Sequence, residues 1–244
     1  MEENQIHKEQ SFLGRSENYL REFVYGGIDG AVTTFAVVAG AVGANLDAGV
    51  IIILGFANLF ADGFSMSVGA YLSSKSEIEH YKKHRKIEYW EIETMPEIER
   101  KEVEDIYRAK GFEGELLKQV VDVIVGDKDR WVDEMMKNEL EMIPDSKSPF
   151  KIGAATLISF ISVGFIPLLI YCFDYFRPLD LDKFFWTSTL TGAAFVTVGW
   201  LKSYVNQTNT IKSIGETLLL GVVAALVAYF VGDFLEGLIM NHGR

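Results

Sequence analysis

Five long apolar runs divide this chain into hydrophobic and polar parts. The runs cover residues 24–44, 50–72, 152–173, 184–201 and 214–231. Each meets or approaches the roughly 20 residues that a helix needs to cross a hydrocarbon core about 30 Å thick. Helices of soluble proteins instead alternate apolar and polar faces. The pattern predicts an all-α membrane protein with five transmembrane helices.

The polar segment between the second and third runs also has a helical pattern. Pro96 and Gly111 sit where the first turn and the end of a helix are expected. The predicted helices are a charged extension of helix two over residues 77–93, followed by 96–109, 115–125 and 128–142. We predict an N-terminal cytosolic arm, two transmembrane helices, an inserted helical domain and three further transmembrane helices, over residues 1–23, 24–74, 75–149 and 150–244.

Basic residues flank the runs unequally and predict the orientation. Five lie between residues 75 and 86, and others precede helices one and three, whereas the opposite side carries only Arg177, Lys183 and Arg244. Positively charged flanks stay in the cytosol. The N-terminus and the inserted domain are therefore predicted to be cytosolic, and the C-terminus is predicted to face the opposite compartment.

The charge balance narrows the class of partner. The formal net charge is -11, and 20 of the 34 acidic residues fall between residues 75 and 147. Nucleic-acid binding requires a basic surface, so no nucleic-acid partner is expected. An acidic segment suits cations or a solvated surface. The single cysteine, Cys172, excludes a disulfide within the chain and a cysteine-rich metal site.

Four polar or soft side chains within the first two runs are candidates for an ion path. Ionisable groups inside a membrane are costly and usually face a pathway or a partner. Asp29 is one of them, and the alternative for it is a carboxylate near the membrane edge that caps a helix or pairs with Arg21. Asn58, Asp62 and Met66 are spaced by four residues and share a helix face. A carboxylate with a thioether favours transition metals, while a glycine stripe on helix two also suits packing.

Acidic side chains recur at helical spacing in the inserted domain. Glu88 pairs with Glu91, Glu99 pairs with Glu102, and Glu139 follows later. Like charges on one helix face repel each other, and a bound cation would relieve that repulsion. From the pattern alone, a solvated acidic face remains the alternative to a metal site.

Two histidines, His80 and His84, have the i,i+4 spacing of a zinc chelate. Four basic residues lie between positions 82 and 86, which favours a location at the lipid headgroups instead. Glu77 and His80 form one Glu-x-x-His element of the type found in di-iron bundles, but such sites need two elements and no second one is present.

Several of these motifs together resemble the vacuolar iron transporter family. They are the segments Tyr25-Gly-Gly-Ile-Asp-Gly-Ala31, Asn58-Leu-Phe-Ala-Asp-Gly-Phe-Ser-Met66, Gly69-Ala-Tyr71 and Trp131-Val-Asp-Glu-Met-Met-Lys-Asn-Glu139. The chain is most similar to prokaryotic-type members without a ferritin-like domain. The resemblance implies five membrane helices and a homodimer whose transport path is lined by helices one and two at the dimer interface. It also implies proton antiport that drives Fe²⁺, with Mn²⁺ also accepted, out of the cytosol.

The resemblance also implies roles for particular residues. Asp29 and Met66 match residues of the transport path. Asn58 stands where some members have an acidic residue, so either Asp62 supplies that charge or the proton coupling differs. The positions that match cytosolic metal ligands are Glu88, Glu91, Glu99, Glu102, Met135 and Glu139. No cofactor is obligatory, because divalent transition metals are both substrate and bound ligand.

The function expected from the sequence is export of divalent metal from the cytosol, without enzyme activity. The membrane would be the plasma membrane in a prokaryote and the vacuolar membrane in a eukaryote. One alternative is a membrane-bound metal sensor or chaperone, which has little need of the intramembrane Asp29. A membrane di-iron oxidase is disfavoured, because the second Glu-x-x-His element is missing.

Overall fold

The computed structural model describes the backbone of residues 2–145, 147–178 and 180–242, with side chains over 19–145, 147–178 and 180–239. The described residues form two compact units. One consists of the chain up to Leu72 together with the chain from Ser148 onward, and the other is Ser73–Lys147. The side chains of Lys8 and Arg15, which contributed to the predicted orientation of the arm, lie outside the described residues.

All regular structure in the described residues is helical. The helices are α1 (Glu2–Gly43), α2 (Ala48–Thr94), α3 (Pro96–Ala109), α4 (Gly114–Val125), α5 (Lys128–Asn138), α6 (Pro149–Gly164), α7 (Leu169–Phe176), α8 (Lys183–Asn206) and α9 (Thr210–His242). Five helical segments are long and apolar enough to cross a membrane: Tyr19–Gly43, Ala48–Thr94, Pro149–Phe176, Lys183–Asn206 and Thr210–Ile239. The prediction of an all-α, multi-pass membrane protein is confirmed.

The third membrane segment differs from its prediction, because it is not one uninterrupted helix. A 3₁₀ turn, Ile166–Leu168, separates α6 from α7. Pro167 lies in this turn. Proline has no backbone N–H and its ring collides with the preceding turn of an α-helix, which accounts for the interruption. Continuity was predicted because the run is uniformly apolar, although its proline carried the opposite information.

Glycines on α1 allow neighbouring helices to approach it closely. A methyl group added at Gly30 would overlap the carbonyl oxygen of Phe160 on α6, and one at Gly26 would lie 3.0 Å from the Thr156 carbonyl oxygen. Farther along α1, Gly43 meets the backbone of α9 at Tyr229 in the same way. These glycines therefore serve packing within the chain, which fixes the helix that carries Asp29.

The Ser73–Lys147 unit has a hydrophobic core of its own. Ile92 from α2, Val103 from α3, and Trp131 and Met135 from α5 are buried together. Helix α5 ends at Asn138, four residues before the predicted end at Met142. Glu141 adopts a left-handed backbone with φ of 53°. That conformation is incompatible with a continuing right-handed helix.

Candidate metal sites

Three short stretches of the Ser73–Lys147 unit bring acidic side chains together. Glu88 lies on the last turns of α2. Met95 then interrupts the helix, and α3 restarts with Pro96 in its first turn, so that Glu99 follows one turn later. Glu139 follows α5, where its backbone N–H donates to the Met135 carbonyl at 3.0 Å. The break at Met95 and Pro96 lets two successive helices present carboxylates to the same point.

The glutamate cluster (Glu88, Glu99 and Glu139) has the geometry of a cation site. One carboxylate oxygen from each residue lies within 4.8 Å of the others. Oxygens that share a divalent ion at 2.0–2.6 Å are separated by at most about 5 Å, so one ion fits among them. Glu88 is 3% exposed and Glu99 is 4% exposed, whereas Glu139 lies at the exposed edge.

Two oxygens of the cluster have no hydrogen-bond partner within the part of the chain that the structure describes. Oε2 of Glu88 and Oε2 of Glu99 are buried, and no hydrogen-bond donor from the described residues reaches them. A buried carboxylate oxygen without a partner is costly. A bound cation would remove this cost by supplying the missing positive charge.

Burial and mutual repulsion hold protons on these carboxylates. Burial, followed by the charges of Glu139 and Glu91, raises the pKa of Glu88 to about 7. Burial, followed by the charges of Glu102 and Glu91, raises the pKa of Glu99 to about 7. The pKa of Glu139 is also raised, first by burial and then by Glu102 and Glu91. The cluster therefore exchanges protons near neutral pH, where a divalent ion competes with them.

The other three predicted ligands occupy different positions around the cluster. Glu91 and Glu102 are half-buried, and their charges act on the cluster, as the pKa values above show. They are absent from the group of oxygens within 4.8 Å. Met135 is fully buried in the hydrophobic core beside Ile92 and Val103. The structure thus brings three of the six predicted ligands within reach of one ion.

The intramembrane group consists of Asp29 on α1 and of Asn58, Asp62 and Met66 on α2. Asp29 and Asp62 are half-buried and near enough for their charges to interact. Asn58 is half-buried too, and its amide nitrogen has no hydrogen-bond acceptor among the described residues. Met66 is 39% exposed. The two carboxylates expected to act together in the path therefore lie within electrostatic range of each other, although they stand on different helices.

The alternative in which Asp29 pairs with Arg21 has no support in the structure. The Arg21 guanidinium lies 6.0 Å from the centre of the Tyr25 ring. No ion pair joins Arg21 to Asp29 within 4.0 Å among the described side chains. The Asp29 backbone carbonyl accepts a hydrogen bond from the Thr33 hydroxyl at 2.9 Å, an i to i+4 contact within α1.

Sequence reasoning missed a contact that positions this part of α2. The Ser67 hydroxyl donates to the Gly153 carbonyl oxygen on α6 at 2.8 Å. A methyl group added at Gly153 would lie 2.8 Å from the Ser67 carbonyl oxygen. Ser67 follows Met66 directly, so this contact fixes the turn that carries the thioether. The only signal in the sequence was a pair of small residues in distant apolar runs.

Comparison with known proteins gives matches over most of the chain. A family model described as the VIT family matches residues 20–233. The "Vacuolar iron transporter" of Toxoplasma gondii is 32% identical over 238 residues, which cover 94% of this chain and 78% of that protein. "Vacuolar iron transporter 1" of Arabidopsis thaliana is 31% identical over 231 residues, covering 94% and 90%. The Plasmodium falciparum "Vacuolar iron transporter" is 33% identical over 226 residues, covering 89% and 82%.

Proposed function

This chain belongs to the VIT family, and from that premise we propose that it carries divalent iron, and Mn²⁺ as well, across a membrane. The named relatives are iron transporters, and the chain is accordingly a transporter rather than an enzyme. Its five apolar helical segments make it an integral, multi-pass membrane protein. The metal is the substrate and also the ligand of the glutamate cluster, with no other cofactor required.

The observation that carries the proposal is the pair of carboxylate sites. One lies in the Ser73–Lys147 unit and combines buried glutamates with unpartnered oxygens. The other lies in the membrane segments, where the charges of Asp29 and Asp62 act on each other. A protein that only stores or senses metal has no use for the second site, because placing carboxylates in a membrane is costly. A transporter needs both a place to collect the ion and a place to pass it.

The two sites suggest a sequence of binding steps. The glutamate cluster, with Glu91, Glu102 and Met135 nearby, collects metal from the cytosol. The intramembrane group then receives it, with Asp29 and Asp62 as charged ligands and Met66 and Asn58 beside them. A carboxylate binds either a metal ion or a proton, so competition at one site couples the two flows. If Asp29 releases the metal ion on the far side and binds a proton there, metal leaves the cytosol and protons enter it, which is proton antiport.

The orientation belongs to the proposal as well. The surplus of basic residues around α2 and before α6 supports a cytosolic N-terminus and a cytosolic Ser73–Lys147 unit. Metal collected there leaves the cytosol. Export across a plasma membrane would protect the cell from metal excess, and transport across a vacuolar membrane would supply the vacuole with metal.

A second copy of the chain would complete the path. Met66 is 39% exposed and Asp62 is half-buried in one chain, although both lie in a membrane-spanning segment. An ion held there would otherwise face lipid, which is unfavourable for charge. We propose a homodimer in which α2 of each copy covers the intramembrane group. Cross-linking of cysteines introduced at position 64 or 68 would detect the dimer.

The proposal is tested by Fe²⁺ flux into proteoliposomes under reducing conditions, with and without an imposed pH gradient. Flux stimulated by the gradient supports antiport. Flux that ignores the gradient supports a uniporter or channel and rejects the proton coupling. Absence of flux from protein that still binds metal rejects transport and favours a membrane-bound sensor or chaperone.

A further inference from the structure

His80 and His84, the histidine pair, adopt a specific arrangement on α2. Their Nε2 atoms are 3.1 Å apart, and their ring centres are 4.5 Å apart. His80 is exposed and His84 is half-buried. Both residues belong to the Ser73–Lys147 unit, but neither is part of the glutamate cluster. The two Nε2 atoms thus lie side by side within hydrogen-bond distance on the surface of α2.

The separation of the two nitrogens matches the bite of a metal chelate. Transition metals bind imidazole nitrogen at about 2.0–2.1 Å. Two such bonds spanning 3.1 Å enclose an angle of about 98° at the metal. This angle lies between the octahedral value of about 90° and the tetrahedral value of about 109°. The spacing is therefore compatible with two bonds to one ion, which would replace the hydrogen bond between the two rings.

The lysines that suggested a headgroup location lie on another face of α2. A groove is lined by Glu79, Lys82, Lys83, Lys86, Ile87 and Trp90. An α-helix turns by about 100° per residue, so Lys82 and Lys86 lie about 200° and 240° around the axis from His80, and His84 lies only about 40° away. Lys83, at about 60° from His80, is the nearest and also lines the groove. Most of the positive charge therefore faces away from the pair.

The remaining charged neighbours favour a cation. The Arg85 guanidinium is engaged by Asp133 at 3.0 Å. Glu77 lies three residues before the pair and Glu88 lies four residues after it, which places carboxylates on the same face of α2 at both ends. The negative charge of Glu77 raises the local concentration of divalent cations.

We propose that His80 and His84 bind a divalent transition-metal ion of the class that prefers imidazole, for which Zn²⁺ is a suitable probe. The site is chemically different from the all-oxygen glutamate cluster, because imidazole is a softer ligand than carboxylate. Water molecules complete the coordination at this exposed position. The proposal does not require that the protein transports iron.

Zn²⁺ affinity of the full chain in detergent tests this site. It is measured by competition with a chromophoric chelator, in a background of Glu88→Gln, Glu99→Gln and Glu139→Gln that removes the carboxylate cluster. We expect His80→Ala with His84→Ala to weaken Zn²⁺ binding by roughly tenfold or more, because chelation by a second linked ligand is lost. Equal affinity with and without the pair would overturn the proposal.

A register control keeps the number of histidines constant. His84→Ala combined with Lys82→His retains two imidazoles on α2 but places them about 200° apart around the helix. We expect this variant to bind Zn²⁺ as weakly as the double alanine variant. Binding as tight as in the parent would show that the number of histidines matters and the arrangement does not, which contradicts the chelate.

X-ray absorption of zinc bound to the natural chain provides a measurement that does not depend on the glutamine background. The proposal predicts imidazole scattering from two ligands, which disappears in His80→Ala with His84→Ala. Absence of imidazole scattering in the natural chain, or its persistence in the double variant, would rule out the pair as a metal site.

Discussion

A divalent ion that binds to the glutamate cluster must displace the protons that the cluster holds, so the number of protons released reports how many were bound. The pKa of Glu88 and that of Glu99 are both raised to about 7 by burial and neighbouring carboxylates. Titrating the full chain with Mn²⁺ at pH 6.0 and at pH 8.0 changes the number of protons available for displacement. The cation is an oxygen-preferring probe, which separates this site from imidazole ligands.

The expected numbers follow from the pKa values. A group with a pKa of about 7 is about 90% protonated at pH 6 and about 10% protonated at pH 8. The two glutamates therefore release about 1.8 protons per ion at pH 6 and about 0.2 at pH 8. Two ordinary carboxyls would release fewer than about 0.1 protons at pH 6, because they are already ionised there.

Isothermal titration calorimetry in two buffers with different ionisation enthalpies counts these protons. We expect proton release to vanish together with tight binding in Glu88→Gln with Glu99→Gln. The control is Glu97→Gln with Glu115→Gln, two exposed positions in the same unit, which should behave as the natural chain. Release below about 0.5 protons at pH 6, or release that does not fall at pH 8, would refute the assignment of these buried glutamates as ligands.

Three further predictions concern stability. The pKa of each of the two buried glutamates rises on folding from the ordinary 4.5 to about 7, so the metal-free chain should lose stability as pH rises through that range, by on the order of 3 kcal/mol per residue. Denaturant unfolding at pH 5 and at pH 8 measures this loss, and equal stability at the two pH values would contradict it. Gly30→Ala should destabilise the membrane helices by about 1–3 kcal/mol, because the added methyl group overlaps Phe160. Gly69→Ala is the control, because a methyl group there meets nothing within 4 Å. An equal shift of the thermal unfolding temperature in detergent for both variants would exclude the close contact at Gly30. Met135→Ala should cost about 2–5 kcal/mol of stability because it opens a cavity in the core, and Met135→Leu should restore that stability. Loss of metal affinity in Met135→Leu would then show that the thioether is a metal ligand, and unchanged affinity would argue against this role.

The membrane segments were predictable because the bilayer imposes a single requirement. A spanning helix needs about 20 apolar residues and little charge, and each segment meets it visibly in the sequence. The start of α3 at Pro96 was predictable for a similar reason, since proline is tolerated in a first helical turn. The break at Pro167 could also have been predicted from the properties of proline, but the uninterrupted apolar pattern favoured a continuous helix.

The assembly of the candidate site was only partly predictable. Spacing of three residues identified Glu88 with Glu91 and Glu99 with Glu102 as pairs on helix faces. Which member of each pair meets Glu139 depends on the angle between α2 and α3, which the sequence does not encode locally. The structure selects Glu88 and Glu99, which are also the two buried members.

The positions of the charges around the histidine pair also could not be read from the sequence alone. Five basic residues lie within six positions of His80, one before it and four after it in the sequence. Helical geometry distributes them around the axis, and Arg85 is drawn towards Asp133. Proximity along the chain therefore overstated the repulsion that a cation would meet at this face of α2.

The most direct test of the central claim, that the intramembrane carboxylates carry the metal, is Fe²⁺ flux in proteoliposomes containing Asp29→Asn. The matched control is Asp47→Asn, an exposed carboxylate in the connection between α1 and α2. The account predicts that gradient-stimulated flux is lost in Asp29→Asn and kept in Asp47→Asn, at equal reconstitution. Full flux through Asp29→Asn would contradict it.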